Sequence, residues 1–263
     1  MPDNPVFLKL QWADKRLREL DSLLNAFSTH PQPIVIERDS QTNEILYRLA
    51  TTPAIDSAIQ LLAGDILQSL RSALDYLAWA LVSANRGQPS IQTAFPITEK
   101  APGTKGYDDA FAGKVRGMSK DAIGKIESTK PYKGGHSYLW PVHELNNREK
   151  HRLLFTVGAY VSNFSISQHI EATNPPLEII ERMARAYASD TTWVDIRKGT
   201  YPLKAGDVLL RDSPDRKPNH DAQFFIQVAL DEKGVFEGEP LLAVIWQSFQ
   251  SILSVITQFN GMY

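Results

Sequence analysis

The chain has 263 residues, with 28 lysines and arginines, 30 aspartates and glutamates, and a formal net charge of −2. This balance gives no global electrostatic case for binding to nucleic acid, DNA included, or to a membrane surface, although a local basic site stays open. The chain has no cysteine, which excludes disulfides, thiolate metal sites and a cysteine nucleophile. The first residues lack the basic start and apolar stretch of a signal peptide, and no run reaches the ~20 apolar residues of a membrane span, so we expect a cytoplasmic protein.

The N-terminal third predicts a helix, a hairpin and a second helix. Asn4 can cap the first helix with Pro5 at its first position, and apolar residues recur at helical spacing over 5–28. Two β-rich runs within 33–50, around a polar turn, predict a hairpin. A strongly apolar second helix is predicted over 53–86.

The rest of the chain predicts a long connection, a third helix, a group of strands and a closing helix. Residues 87–136 are rich in Gly, Pro and Lys, which indicates a connection over the surface with short helical pieces near 108–111 and 120–126. A third helix is expected over 137–158. An apolar closing helix over 240–260 is expected to pack against the second helix.

The region 160–230 predicts a small antiparallel sheet. Its last strand ends in a turn at 231–234, which fits a meander. The expected elements are strands at 161–166, 193–196, 208–210 and 223–228, with a short helix at 177–187.

These elements predict an α+β fold in one domain, 1–263. A chain of this length can bury one large core. The fold class is a four-helix bundle with an inserted small antiparallel β-sheet. The helices are 5–28, 53–86, 137–158 and 240–260, and the β elements lie within 33–50 and 160–230.

The second helix carries a polar face opposite its apolar one. Arg71 and Asp75 are four residues apart, so an ion pair between them is natural, and Tyr76 lies beside them. The alternative is a solvated pair that contributes a few tenths of a kcal/mol. Trp79 lies among these polar residues, and we expect it to meet another helix or a second subunit.

The third helix carries a second polar group. His143, Asn147 and His151 follow at i, i+4 and i+8, within an arc of roughly 80°. The neighbouring basic side chains, which could contact phosphate, are Arg148, Lys150 and Arg152. The alternative is that these polar residues cap and solvate the helix.

The spacing from Arg71 to Tyr76 resembles the motif of the HEPN superfamily, which is an arginine, four to six residues, and then a histidine. The resemblance covers the helix over 61–81 and the four-helix plan. It implies a homodimer with a composite RNA-cleaving site, of the kind found in toxin and antiviral systems, in which Arg71 holds the scissile phosphate bidentately. Tyr76 stands where the family has histidine, and a phenol with a pKa near ~10 is a weak general base.

The leading hypothesis is therefore a HEPN-like RNA-binding protein or metal-independent ribonuclease that needs no cofactor and has RNA and a second copy of itself as partners. Arg71 would bind phosphate and His151 would be the acid/base, with Asp75, Asn147 and Tyr76 orienting them. The substrate-binding residues would be His143, Asn147, Arg148, Lys150 and Arg152.

Two alternatives stay open. In the first, the chain is a non-enzymatic ligand- or partner-binding protein, and the same polar residues form a hydrogen-bond network that ties the second helix to the third. In the second, it is a hydrolase with one metal at His143, His151 and an outside carboxylate. The segment His143-Glu144 begins like His-Glu-x-x-His, but Asn147 stands at the second histidine position.

Overall fold

The computed structural model describes residues 4–152, 157–166 and 202–263, and within 150–152 and 160–166 it describes the backbone alone. The strand expected at 193–196 and the short helix expected at 177–187 lie outside these residues. The described part is a mixed α+β structure of helices and small sheets, as predicted. Its helices are α1 (Pro5–Ser28), α2 (Ser57–Ala84), α3 (Tyr107–Val115), α4 (Lys120–Ser128), α5 (Leu139–Arg152) and α6 (Leu241–Thr257).

The helix ends follow from local capping. The Asn4 side chain accepts a hydrogen bond from the Val6 N–H at 3.0 Å, so the predicted cap of α1 is confirmed. Helix α2 begins at Ser57 rather than at the predicted residue 53, because the Asp56 side chain accepts a hydrogen bond from the Ala58 N–H at 2.9 Å.

The chain forms two compact units. The first contains the described residues of Met1–Leu23, Asp56–Val157 and Leu230–Tyr263, and the second those of Leu24–Ile55 and Gly158–Ala229. The prediction of a single domain therefore stays a prediction.

The first unit is built around α2, whose apolar side is buried. Helix α2 contacts α5 and α6, which confirms the expected packing of the closing helix on the second one. The chain comes close at Gly64 of α2, where an added Cβ would lie 3.2 Å from Cγ of Glu149 on α5. Helix α1 approaches α2 at Arg16, whose Nε lies 4.0 Å from an Asp65 carboxylate oxygen.

The second unit contains the strands. They are β1 (Ile34–Arg38), β2 (Ile45–Leu49), β3 (Val157–Ile166), β4 (Val208–Asp212) and β5 (Ala222–Leu230), of which β3 and β5 cross the unit boundary at one end. The predicted hairpin is confirmed: β1 and β2 pair antiparallel, and an Asp39 side-chain oxygen accepts the N–H groups of Gln41 and Thr42, each at 2.9 Å. Asn43 closes this turn with a φ of 59°, a conformation that asparagine tolerates.

The predicted meander is wrong for the described strands. Strand β4 pairs with β2, in a sheet of order β1-β2-β4, and β5 pairs with β3 instead of with β4. Four of the five side chains of β2 are buried, so this strand has the burial of a central strand and takes a partner on both sides. Sequence adjacency favours hairpins, and it predicts the pairing of β1 with β2 but not those of β4 and β5.

The region 87–136, predicted as a surface connection, packs into the first unit over much of its length. The short helical pieces are confirmed as α3 and α4. The apolar residues buried in this region are Phe95, Ile97, Tyr107, Phe111, Val115, Met118, Ala122 and Ile126. The prediction of an exposed connection was wrong because these residues are scattered among Gly, Pro and Lys, where neither helical nor strand periodicity is visible.

Within the described residues, no helix is both long and apolar enough to cross a membrane.

Candidate functional site

The predicted Arg71–Asp75 pair forms, and both members bind the main chain of Phe95. Nη2 of Arg71 lies 2.8 Å from a carboxylate oxygen of Asp75 and donates a hydrogen bond to the Phe95 carbonyl oxygen at 3.0 Å. The same Asp75 oxygen accepts the Phe95 N–H at 3.0 Å. One ion pair therefore binds both the N–H and the carbonyl of Phe95, a fully buried residue whose carbonyl also accepts the Ile97 N–H at 2.8 Å.

Trp79 extends this arrangement by one helical turn. Its Nε1–H donates a hydrogen bond to the Thr93 carbonyl oxygen at 3.2 Å. The three side chains follow at i, i+4 and i+8, so they share one face of α2. We call Arg71, Asp75 and Trp79 the α2 latch, because together they hold residues 93–95 against the helix.

Lys114 of α3 adds a second, half-buried cation. Its Nζ donates a hydrogen bond to the Ile97 carbonyl oxygen at 3.0 Å. Burial lowers the pKa of Lys114, the positive charge of Arg71 lowers it further, and Asp75 opposes both effects. Burial likewise lowers the pKa of Arg71 against the opposing effect of Asp75. Nη1 of Arg71 is buried and has no hydrogen-bond partner among the residues that the structure describes.

Arg148, predicted to contact substrate, is held by carboxylates. Its Nε donates to Glu144 at 2.8 Å, and its Nη1 donates to Glu232 at 2.9 Å and to the Lys233 carbonyl oxygen at 3.1 Å. Burial alone would lower the pKa of Arg148, but the hydrogen bonds and charges of the two glutamates raise it overall. Arg148 therefore ties α5 to the turn that precedes α6.

His143 and Asn147 contact each other on α5. The Asn147 amide nitrogen lies 3.2 Å from Nε2 of His143, so Nε2 is the acceptor and Nδ1 carries the proton. Asn146, which precedes Asn147 in the sequence, is almost fully buried. Helix α2 meets α5, the third helix predicted from the sequence, at Gly64 and Glu149. The hydrogen bonds of the α2 latch, however, go to residues 93–95 and not to α5.

Part of the predicted site lies beyond the described side chains. Lys150, His151 and Arg152 lie in the last turn of α5, and their side chains are not described. The proposed pairing of Arg71 with His151 therefore stays a prediction. Tyr76 is described and is 42% exposed, one residue from Asp75.

The described residues contain no group of three or more His, Asp or Glu side chains that could hold a metal ion. Because the His151 side chain is outside them, the alternative of a metal at His143 and His151 stays untested.

The residues that sequence reasoning missed are the partners of the α2 latch, Thr93 and Phe95, together with Lys114 and its partner Ile97. A main-chain partner leaves no pattern in the sequence, since any residue supplies the same N–H and carbonyl. The available signal was the pair of large apolar residues, Phe95 and Ile97, within a stretch otherwise poor in them.

Comparison with known proteins adds no relationship to this picture. No family model matches the chain, and neither a curated protein nor a solved structure matches it. The function is therefore argued from the geometry alone.

Proposed function

We propose that this chain is a non-enzymatic protein that binds a ligand or a partner, and that the polar face of α2 is part of its architecture. The observation that carries the proposal is the double contact of the Arg71–Asp75 pair with the main chain of Phe95. Nη2 of Arg71 and one carboxylate oxygen of Asp75 therefore already have hydrogen bonds within the fold.

The accessibility of Arg71 supports the same conclusion. Bidentate binding of a phosphate needs two guanidinium N–H groups that face the ligand. The Arg71 side chain is only 8% exposed, and its Nη2 is shared between Asp75 and the Phe95 carbonyl. A phosphate that contacts Nη2 would have to replace Asp75 or the Phe95 carbonyl, and giving up such a buried hydrogen bond is costly.

The test is an incubation of labelled total RNA with the purified full-length protein in EDTA, with circular dichroism on every sample. We expect no cleavage by folded wild-type protein. Arg18→Ala, which removes an exposed arginine of a similar i,i+4 pair, is the matched control for Arg71→Ala. Cleavage by wild type and by Arg18→Ala that a folded Arg71→Ala variant loses would overturn the proposal.

The second candidate is a HEPN-like RNA-binding protein or ribonuclease of a toxin or antiviral defence system. It is favoured by the Nη1 of Arg71, a donor that the described residues do not use, and by the exposure of the neighbouring Tyr76. The contacts of α2 with α5 and α6, and the approach of Arg16 to Asp65, agree with a four-helix plan.

In this second candidate, two copies of the chain would form a homodimer with a composite site. Arg71 would contact phosphate, His151 would be the acid/base, and Asp75, Asn147 and Tyr76 would orient them. RNA would also be contacted by His143, Arg148, Lys150 and Arg152. For Arg148 this requires that one of its contacts with Glu144 or Glu232 be given up.

The ribonuclease candidate has a test of its own at His151 and Tyr76, which are not members of the α2 latch. We expect His151→Ala and Tyr76→Phe to lose cleavage while keeping the wild-type circular dichroism if this candidate is correct. Light scattering on a sizing column would then give twice the mass of the 29.5 kDa chain. Cleavage that both variants retain, or an active monomer, would contradict it.

A further inference from the structure

A polar cleft lies in the first unit, away from the α2 latch. It is formed by the C-terminal end of α4, the loop that leads into α5, and α6. Its volume is about 460 Å³, which falls within the range of roughly 300–1,000 Å³ that is typical of small-molecule sites. The lining residues that matter here are Lys130, His136, Ser137, Tyr138, Ser251 and Gln258.

The lining is rich in hydrogen-bond donors and contains no carboxylate. Of the described residues that line the cleft, none is Asp or Glu, whereas Lys130 contributes a positive charge and the serines contribute hydroxyls. A second cation lies next to it, because Nζ of Lys125 donates to the carbonyl oxygen of the lining residue Gln258 at 2.7 Å. Positive charge in a lining that contains no carboxylate favours an anionic ligand.

His136 lines the cleft, and a hydrogen bond fixes the tautomer of its neutral ring. Its Nδ1 accepts a hydrogen bond from the Tyr138 N–H at 3.1 Å, so the proton of the neutral ring is on Nε2. Burial lowers the pKa of His136 and so favours this neutral ring. Nε2–H is then a donor that the Tyr138 contact leaves for a ligand.

The loop that carries these groups is held in shape by its own main chain. The Lys130 carbonyl oxygen accepts the N–H groups of Tyr132 at 2.8 Å and of His136 at 2.9 Å. Gly135 passes so close to that carbonyl that an added Cβ would clash with it. A loop fixed in this way loses little conformational entropy when a ligand binds.

We propose that this cleft binds a small ligand bearing an oxyanion, a phosphate or a carboxylate, through the charge of Lys130 and hydrogen bonds from His136 Nε2–H and the Ser137 hydroxyl. The proposal deepens the non-enzymatic binding function and rests on it. Val255 is the large apolar residue of the lining, so the ligand is polar over most of its surface.

The experiment is an NMR titration of the uniformly ¹⁵N-labelled full-length protein with inorganic phosphate and, separately, with citrate. Lys130→Gln removes the charge and keeps the length of the side chain. His136→Asn keeps an acceptor for the Tyr138 N–H and removes the Nε2–H donor. Lys217→Ala, an exposed lysine of the second unit, is the control for nonspecific charge effects.

We expect saturable shifts at 128–138 and 251–258 with at least one of the two anions, and the anion that saturates identifies the ligand group. Lys130→Gln and His136→Asn should each weaken binding about tenfold, as expected for loss of a charge-assisted contact, and Lys217→Ala should bind like wild type. No saturable shift in the cleft with either anion up to about 10 mM, or binding that both cleft variants retain in full, would overturn the proposal.

The outcome of the anion titration is independent of the outcome of the RNA cleavage test. Cleavage of RNA that depends on Arg71 would remove the non-enzymatic function but would leave anion binding at the cleft to be read directly from the shifts. Absence of anion binding would remove the cleft as a site and would leave the α2 latch as described.

Discussion

Two Arg–Asp pairs of the first unit have the same spacing and different surroundings. On α1, Asp14 and Arg18 lie 2.9 Å apart with side chains 42% and 78% exposed. On α2, Arg71 and Asp75 lie 2.8 Å apart, and the arginine side chain is 8% exposed. Both are i,i+4 pairs, and the α2 pair even has the less favourable order, with the cation N-terminal.

The difference between the pairs is the third partner. The Asp14–Arg18 contact joins two side chains of one helix. The Arg71–Asp75 pair also binds the N–H and the carbonyl of Phe95, which lies outside its helix. Spacing along a helix therefore predicts that an ion pair forms, and burial with a tertiary hydrogen bond decides what the pair is worth.

The largest expected effect is that of Arg71→Ala. Removing the arginine leaves Asp75 without its ion-pair partner and takes one of two donors from the buried Phe95 carbonyl, which keeps the Ile97 N–H. We therefore expect the free energy of unfolding to fall by roughly 3 kcal/mol. Arg18→Ala should change it by less than about 0.5 kcal/mol. Urea unfolding followed by circular dichroism measures both. Equal losses for the two variants would show that the contact with Phe95 contributes nothing.

The ion pairs of Arg148 extend the comparison to α5. Arg148 joins Glu144 of its own helix to Glu232, which is almost fully buried, in the turn before α6. Arg148→Ala should lower the free energy of unfolding by about 2 kcal/mol, because it removes one hydrogen-bonded cation from a buried carboxylate. Arg148→Lys should recover only part, since an ammonium does not reproduce the guanidinium fork. Full recovery by lysine would reduce this contact to simple charge.

Trp79→Phe isolates the neutral member of the α2 latch. The change keeps an aromatic ring and removes the Nε1–H that reaches the Thr93 carbonyl, so we expect a loss of about 1 kcal/mol. Trp246→Phe on α6, where the indole is likewise about half exposed, is the matched control and should be near neutral. If both substitutions cost the same, the hydrogen bond to Thr93 is not the reason.

The smallest expected effect concerns the carboxylate of Asp39, in the turn between β1 and β2. The main-chain N–H groups of Thr42 and Gln41 lower the pKa of Asp39 below its ordinary value of 3.8. The stability that the ionised Asp39 carboxylate adds to the fold is therefore fully present above pH 3.8. It is lost as the pH falls through the lower pKa of the folded state. Asp39→Asn should make the acid unfolding curve slightly shallower in this range. An unchanged curve would show that the turn does not depend on this charge.

The helices were predictable from the sequence to a useful degree, and the tertiary partners were not. The cap at Asn4 and the apolar periodicity of α2 and α6 are local signals, and the structure contains the elements that they predict. The partner of the Arg71–Asp75 pair is a main-chain group at Phe95, and a peptide group has no sequence signature. Likewise, β4 pairs with β2 across about 160 residues, and short strands carry too little pattern to choose between distant partners.

The division of the chain between its units has a consequence for synthesis on the ribosome. The chain passes from one unit to the other four times, at 23/24, 55/56, 157/158 and 229/230. The β1–β2 hairpin is synthesised early, whereas β4, which pairs with the other edge of β2, ends only at Asp212. That edge of β2 therefore has no partner until most of the chain has been translated. During that interval an unpaired strand edge is exposed to other chains, the situation in which nascent proteins aggregate or recruit chaperones.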